Sequence, residues 1–236
     1  MPGTATPRAK ARQQTMQEVT RIGRTHLATE GAAGLSVRAV ARDLGVVSSA
    51  IYRYVRSRDD LLTLLVIDGY DDLGDAVDNA LAPVAADAYR SRFVAVGRAV
   101  RGWARAEPAM YSLLFGSPVP GYHAPDERTT GPGTRVISTL VALYSQAHSA
   151  GALKPPEPTR SAFTDGSADL GEVRSHFHPG IPDDLIVRGV LAWTGMFGCV
   201  SFEIFGQYGQ DTFADPADLF ERQLELLADM LGLRDL

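Results

Sequence analysis

The chain has 236 residues, 45% of them hydrophobic, and a net charge of −5 from 23 basic and 28 acidic side chains. That length and apolar share suit a small domain joined to a larger one with its own packed core. The single cysteine, Cys199, excludes an internal disulfide framework, and the absence of a membrane-length apolar run or a signal-peptide core points to a cytoplasmic protein.

The charge is unevenly placed. Residues 1–58 carry 10 basic and 3 acidic side chains, a net +7, while residues 59–236 carry −12. A basic N-terminal quarter on an acidic body orients a protein on a polyanion and keeps the body away from it. Arg8, Lys10 and Arg12 precede the first expected helix and form either an arm that reaches phosphates or a solvated tail.

Residues 36–58 are the most informative segment. Ser36 stands as an N-cap before Val37, Val40, Ala41 and Leu44, whose spacing makes one apolar stripe of a short helix. Arg38 and Arg42 lie outside that stripe, free to face solvent or phosphate. Gly45 ends the helix with positive φ, Val46 plugs the corner, and Ser48 caps a second helix running to Tyr52-Arg53-Tyr54. Ile51 and Val55 face the core, which leaves Ser49, Tyr52 and Arg53 to DNA. Arg53 suits a bidentate contact to guanine, Ser48 and Ser49 suit bases or phosphates, and the hydroxyls of Tyr52 and Tyr54 suit phosphate oxygens. Ser57 and Asp60 resemble a capping box, with Arg58 beside the helix start they define. The whole is a helix-turn-helix pattern, whose second helix enters the major groove.

The segment resembles the DNA-binding domain of the TetR family of transcriptional regulators over about residues 15–65. The matching residues are Gly31, Ser36-Val37-Arg38, Val40-Ala41, Gly45-Val46, Ile51-Tyr52, Tyr54, Arg58 and Leu61-Leu62. Val47 stands where Ser is usual, Tyr54 where His is commonest, Val55 where Phe is usual, and Gly23 replaces an Ala inside the first helix. The resemblance implies an all-α fold: a three-helix DNA-binding domain, residues 1–58, followed by a helical effector-binding and dimerisation domain, residues 59–236.

Beyond residue 58 the periodicity is helical. Residues 58–81 form a long helix with Leu61, Leu62, Leu65, Val66 and Tyr70 on the core side and a solvated face of Asp68, Asp71, Asp72, Asp75 and Asp78; Pro83 ends it. Residues 85–106 make the next helix, Pro108 restarts a short one to Phe115, and 116–132 reads as loop. A helix over 133–150 follows, then a long irregular loop over 152–182 with five prolines and three glycines. The helix over 183–208 is apolar on more than one face, and Asp215-Pro216 opens the last helix, to about 232. These two are expected to pair two copies of the chain about a two-fold axis, although both could simply complete one core.

The later half carries a second resemblance, to a TetR subfamily with a WHG-type C-terminal domain. It rests on Trp103, on Glu107-Pro108-Ala109-Met110-Tyr111-Ser112-Leu113-Leu114-Phe115, and on Trp193-Thr194-Gly195-Met196-Phe197-Gly198, where Phe197 replaces the signature histidine. Trp103, Tyr111, Phe115, Tyr144, His148, Trp193 and Phe197 are the candidates to line an apolar pocket among the helices at 58–81, 85–106, 133–150 and 183–208.

No nucleophile, phosphate-loop, dinucleotide or zinc-protease motif is present, so no enzyme, cofactor or metal is expected. His176-Phe177-His178 has metal-like spacing but lacks a third ligand at recognisable distance. The expected protein is therefore a dimeric repressor that reads a palindromic operator and is released by a small apolar or aromatic molecule. The alternative is a constitutive or architectural DNA-binding protein without an effector.

Overall fold

A computed structural model describes residues 6–155, 170–176 and 181–236. Among them the regular structure is helical, with no strand: α1 (Pro7–Gly34), α2 (Val37–Asp43), α3 (Ser48–Ile51), α4 (Arg58–Leu81), α5 (Tyr89–Ala106), α6 (Pro108–Phe115), α7 (Asp126–Ser149), α8 (Gly171–Arg174), α9 (Asp183–Ile204) and α10 (Pro216–Leu231). Most of the expected 152–182 loop lies outside the described residues, as do Phe177 and His178 of the His-Phe-His pair.

The chain forms two compact units. One holds the residues up to Asp72 together with Glu107–Gly133, and the other holds Leu73–Ala106 and Thr134–Leu236. The sequence division at residue 58 follows charge, whereas the units follow packing, so α6 and the start of α7 belong with the helix-turn-helix.

In the first unit, α1 starts earlier than expected. Thr6 accepts a hydrogen bond from the N–H of Ala9, and Pro7 takes the first turn, where its missing N–H costs nothing. Arg8, Lys10 and Arg12 are thus helical rather than an extended arm, and all three are exposed. Val19, Ile22 and Leu27 bury the core face of α1, and Gly23 lets α1 approach Leu61 and Leu65 of α4. The helix breaks at Gly31, whose φ is +68°.

The expected solvated acidic face of α4 is instead engaged. Arg24 of α1 lies 2.6 Å from Asp68, 3.1 Å from Asp72 and 3.7 Å from Glu107. Further along, Arg135 of α7 pairs with Asp75 at 2.8 Å and with Asp78, both within the second unit.

Residues 126–132, expected as loop, are the first two turns of α7. Asp126 and Glu127 suit the helix start, and the Pro125 carbonyl accepts from the N–H and hydroxyl of Thr129. Pro132 forfeits one ladder bond. Buried Thr129 and the Arg128–Asp60 pair at 2.9 Å hold the turn in place. Tertiary contacts thus override the breaker residues.

The second unit is built around Phe93, Val96, Val100 and Trp103 of α5, Leu140, Leu143 and Tyr144 of α7, Met196 and Val200 of α9, and Phe220 and Leu224 of α10. Burying such side chains stabilises by about 1.5–3 kcal/mol each. Gly97 sits where a Cβ would lie 2.4 Å from a Leu224 methyl, so glycine sets the α5–α10 separation. α5 begins at Tyr89 and α9 ends at Ile204, each some four residues inside the expected span. The chain end is stitched down: bridges join Ala88 to Asp235 and Leu153 to Leu233, Leu233 is buried, and the Asp235 carboxylate accepts from the Ser91 N–H and hydroxyl.

α9 has two apolar sides. Ala192, Met196 and Val200 turn inward. At about 100° per residue, Val190, Leu191, Thr194, Phe202 and Phe205 lie toward the opposite side, with Leu191 54% exposed, and half-buried Phe197 sits at the flank. α9 is long and apolar enough to cross a membrane, against the expectation that no segment is. Its charged groups are nonetheless satisfied inside the unit: Arg188 donates to the Met230 carbonyl and Glu203 pairs with Arg101. Cys199 is half-buried, and burial pushes its thiol pKa up, away from thiolate chemistry.

Candidate DNA-binding surface

The turn between α2 and α3 is built locally. The Ser36 hydroxyl accepts from the N–H of Ala39 at 3.4 Å and opens α2. At the other end Gly45 has φ +74°, its N–H reaches the Arg42 carbonyl, and the Val46 N–H reaches that of Ala41, each at 3.0 Å. These are the two bonds of a Schellman ending, and a left-handed residue is what they require. Val37, Val40 and Ala41 are buried, as the stripe predicts.

Two details differ from the sequence reading. Val46 is exposed rather than plugging the corner, and Ser48 is the first residue of α3, not its cap. Val47 holds the cap position, 72% exposed and with no side-chain bond, because the helix has already begun at Ser48. α3 is one regular turn, prolonged by turns through Tyr54 in which the Val55 N–H still reaches the Ile51 carbonyl.

Ile51 and Val55 are buried beneath this segment, while Ser48, Ser49, Tyr52 and Arg53 are exposed and Tyr54 is half-buried. Arg38 is exposed on α2. Neither Arg38 nor Arg53 has an ion-pair partner among the described residues. The remaining predicted residue, Arg58, is partly committed elsewhere: its guanidinium donates to the Ala32 carbonyl at 2.8 Å and ties the start of α4 to the end of α1.

Three further sets of contacts hold this surface; the Ser57–Asp60 cap is visible in the sequence, whereas those of His26, Arg128 and Arg12 join distant residues and are not. Buried His26 of α1 lies 2.6 Å from Asp43 at the end of α2, through Nε2. That hydrogen bond, helped by Arg42, holds the Asp43 carboxyl below the usual carboxylate range. Burial pushes the Asp60 carboxyl up, but the Arg56 N–H and the Arg128 guanidinium outweigh it and hold it low. The Ser57 hydroxyl accepts from the Asp60 N–H, while Asp60 reaches back to Arg56, one residue beyond the usual capping box. Finally, the guanidinium of Arg12 lies over the Tyr54 ring, 5.3 Å from its centroid.

The seven aromatic and histidine candidates for a ligand fall in both units. In the first, Tyr111 is fully buried and meets the half-buried Phe115 at 5.0 Å between ring centroids; Tyr70, seen in the sequence only as core, meets Phe115 edge-on at 6.0 Å. In the second, Trp103 and Tyr144 are buried, and burial pushes the Tyr144 phenol up. His148 is half-buried in the last turn of α7. Trp193 is exposed on α9, 6.4 Å from the ring of Phe197.

Comparison with known proteins covers most of the chain. Residues 23–65 match the family model for bacterial regulatory proteins of the tetR family, and residues 93–227 match that for tetracyclin repressor-like C-terminal domains. The second match spans both segments that carry the later resemblance. The HTH-type transcriptional regulators Rv1816 of Mycobacterium tuberculosis and Mb1846 of Mycobacterium bovis are each 44% identical over 232 residues, covering 95% of both chains. The crystal structure of SCO4313 is 33% identical, with a TM-score of 0.73, over 94% of this chain and 98% of that one. A protein of unknown function from Rhodococcus sp. RHA1, 20% identical with a TM-score of 0.66 over 93% of this chain and 95% of its own, shares the fold.

Proposed function

The chain belongs to the TetR family of bacterial regulatory proteins, and from that premise we propose that it is a cytoplasmic, homodimeric, non-enzymatic repressor that reads a palindromic operator. The observation that carries the reading is the Gly45 turn, which buries Ile51 and Val55 and leaves Ser48, Ser49, Tyr52 and Arg53 outward. Arg53 takes a guanine edge, the serines take bases or phosphates, and Arg38, Tyr52, Tyr54 and the free donors of Arg58 take the backbone. Dimerisation through α9 and α10 is supported by the outward face of α9 and by Leu226 of α10, which is 67% exposed. Trp193, 37% exposed, and the half-buried Phe197 flank that face, about 60° and 100° round α9 from Met196.

Selection of bound duplexes from a random pool tests this reading. It should enrich a palindrome with half-sites one helical turn, about 34–36 Å, or a multiple of that apart. The reading fails if no duplex is enriched over an Arg53→Ala control, or if binding lacks a steep salt dependence.

The same reading includes release by a small apolar or aromatic molecule. A ligand held among Trp103, Tyr144 and His148 pulls on the second unit, and α4 runs unbroken from one unit into the other. A differential affinity of about 1–3 kcal/mol switches occupancy roughly 5–150-fold. The burial of Tyr111 and Tyr144 favours the second reading, a constitutive binder whose aromatics are only core. Melting temperatures across a library of apolar compounds separate the two, a uniformly flat response supporting the constitutive binder.

A further inference from the structure

We propose that the exposed first turns of α1 are a second phosphate-contacting surface, with Arg8 and Arg12 as its cations, and that Arg12 sets its register through the stack on Tyr54. The inference rests on the DNA-binding reading and adds residues to it.

Three observations place the surface. Thr6 and Pro7 fix α1 as helical from its start, so Arg8 and Arg12 are four residues apart on one face, about 6 Å apart along the axis. That face continues through Thr15 to buried Val19, so it is the side of α1 that turns toward the helix-turn-helix. Arg12 meets that motif at its DNA-facing end: the guanidinium covers the Tyr54 ring at 5.3 Å and approaches the Arg53 carbonyl at 3.5 Å. Lys10 points to the opposite side.

Folding alone gives little reason for these cations. Residues 6–14 are all exposed. Arg8 and Arg12 are like charges at neighbouring positions, which repel. The first acidic residue in the chain is Glu18, and it pairs with Arg21. Arg8, Lys10 and Arg12 have no ion-pair partner among the described residues. A run of unneutralised charge held against the residue next to Arg53 matches a polyanion lying across Tyr52–Tyr54. The partner chemistry is the phosphate backbone rather than base edges, because Arg8 and Arg12 stand on α1, outside the recognition helix, and Arg12 is held over the Tyr54 ring.

The test measures affinity of the full chain for its selected operator and for a scrambled duplex between 50 and 200 mM salt. Each phosphate contact contributes about 0.9 to the slope of log K against log salt, so loss of one contact per protomer lowers a dimer's slope by about 1.8. Arg8→Gln and Arg12→Gln should each do so and weaken operator and scrambled duplex by the same factor. Arg12→Lys should retain the slope, and Lys10→Gln should change it less than either. For the positioning role, Tyr54→Leu should abolish most of the effect of Arg12→Gln in a double-mutant cycle, while Tyr54→Phe, which keeps the ring, should preserve it. Wild-type slopes in Arg8→Gln and Arg12→Gln, with steep binding by the parent, overturn this inference and leave the operator reading intact. A parent chain that binds no duplex overturns the operator reading itself.

Discussion

Replacing Arg101 with Met tests how the second unit is held together. Arg101 of α5 makes a two-pronged pair with Glu203 of α9, Nε to Oε2 at 2.6 Å and Nη2 to Oε1 at 2.7 Å, and its guanidinium lies 5.6 Å from the centre of the Phe220 ring on α10. Three helices meet at this one side chain. The side chains are 14% and 17% exposed, the most enclosed ion pair among the described residues. Removing one partner of a fully buried pair costs about 3–5 kcal/mol, mostly because the other charge is stranded. Here some water reaches both groups, and Arg105 remains 3.7 Å from Glu203. We therefore expect about 2–3 kcal/mol for Arg101→Met and for Glu203→Met, near the lower end of that range. Additivity would give the double variant about 4–6 kcal/mol, but with neither charge left it should lose no more than about 2 kcal/mol, a coupling of at least about 2 kcal/mol. The assay is urea unfolding at one fixed protein concentration, because self-association makes stability concentration-dependent. In thermal melts each single variant should fall by about 4–12 °C. Single losses under about 0.5 kcal/mol, or an additive double variant, would refute the reasoning.

Other consequences are as direct. Arg53→Ala should cost about 1–3 kcal/mol on the selected operator and relax the preference at one base pair per half-site; equal losses on every duplex would make Arg53 a phosphate contact. Gly45→Val forces a β-branched residue to φ +74° and should lower the melting temperature while leaving helix content intact, and an unchanged melt would contradict the turn geometry. Leu191→Glu, on the outward face of α9, should convert dimer to monomer in sedimentation equilibrium without unfolding the chain; a persistent dimer would place the interface elsewhere. The Asp43 and Asp60 carboxyls are held low in the folded chain, so the stability they add is complete above the ordinary carboxylate pKa and is lost as pH falls through their folded values. Asp60→Asn should therefore flatten the acid limb of stability below about pH 4, and coincident limbs for parent and variant would argue against the contribution.

The helix-turn-helix is legible in the sequence because its determinants are local. Ser36, Gly45 and the apolar spacing between them act within a few residues, and the structure keeps each in its expected role. The capping of α3 is less legible, because Ser48 suits the cap of a helix starting at 49, whereas the helix starts at Ser48 itself behind Val47. Arg8–Arg12 show no apolar period, so nothing but Thr6-Pro7 marks them as helix. Gly131 and Pro132 suggest loop on propensity alone, and contacts from Asp60 and buried Thr129 reverse that. The acidic stripe of α4 looks solvated until Arg24 and Arg135, 44 and 57 residues away from their partners, are brought to it. The grouping of 107–133 with the first unit has no local signature, since it depends on which faces meet after folding.

The contacts of Leu233 and Asp235 also set an order of folding during synthesis. The first unit is complete in sequence at Gly133, whereas the second needs Leu233 against Leu153 and Asp235 against Ser91, a partner 144 positions earlier. At roughly 5–20 residues per second, the intervening hundred or so residues take about 5–20 s to make. Contacts so far apart close late and slowly. The half that carries Arg53 can therefore fold while the half that carries α9 still waits for Leu233 and Asp235, and a chain cut short before them would carry a finished reader on an unfinished body.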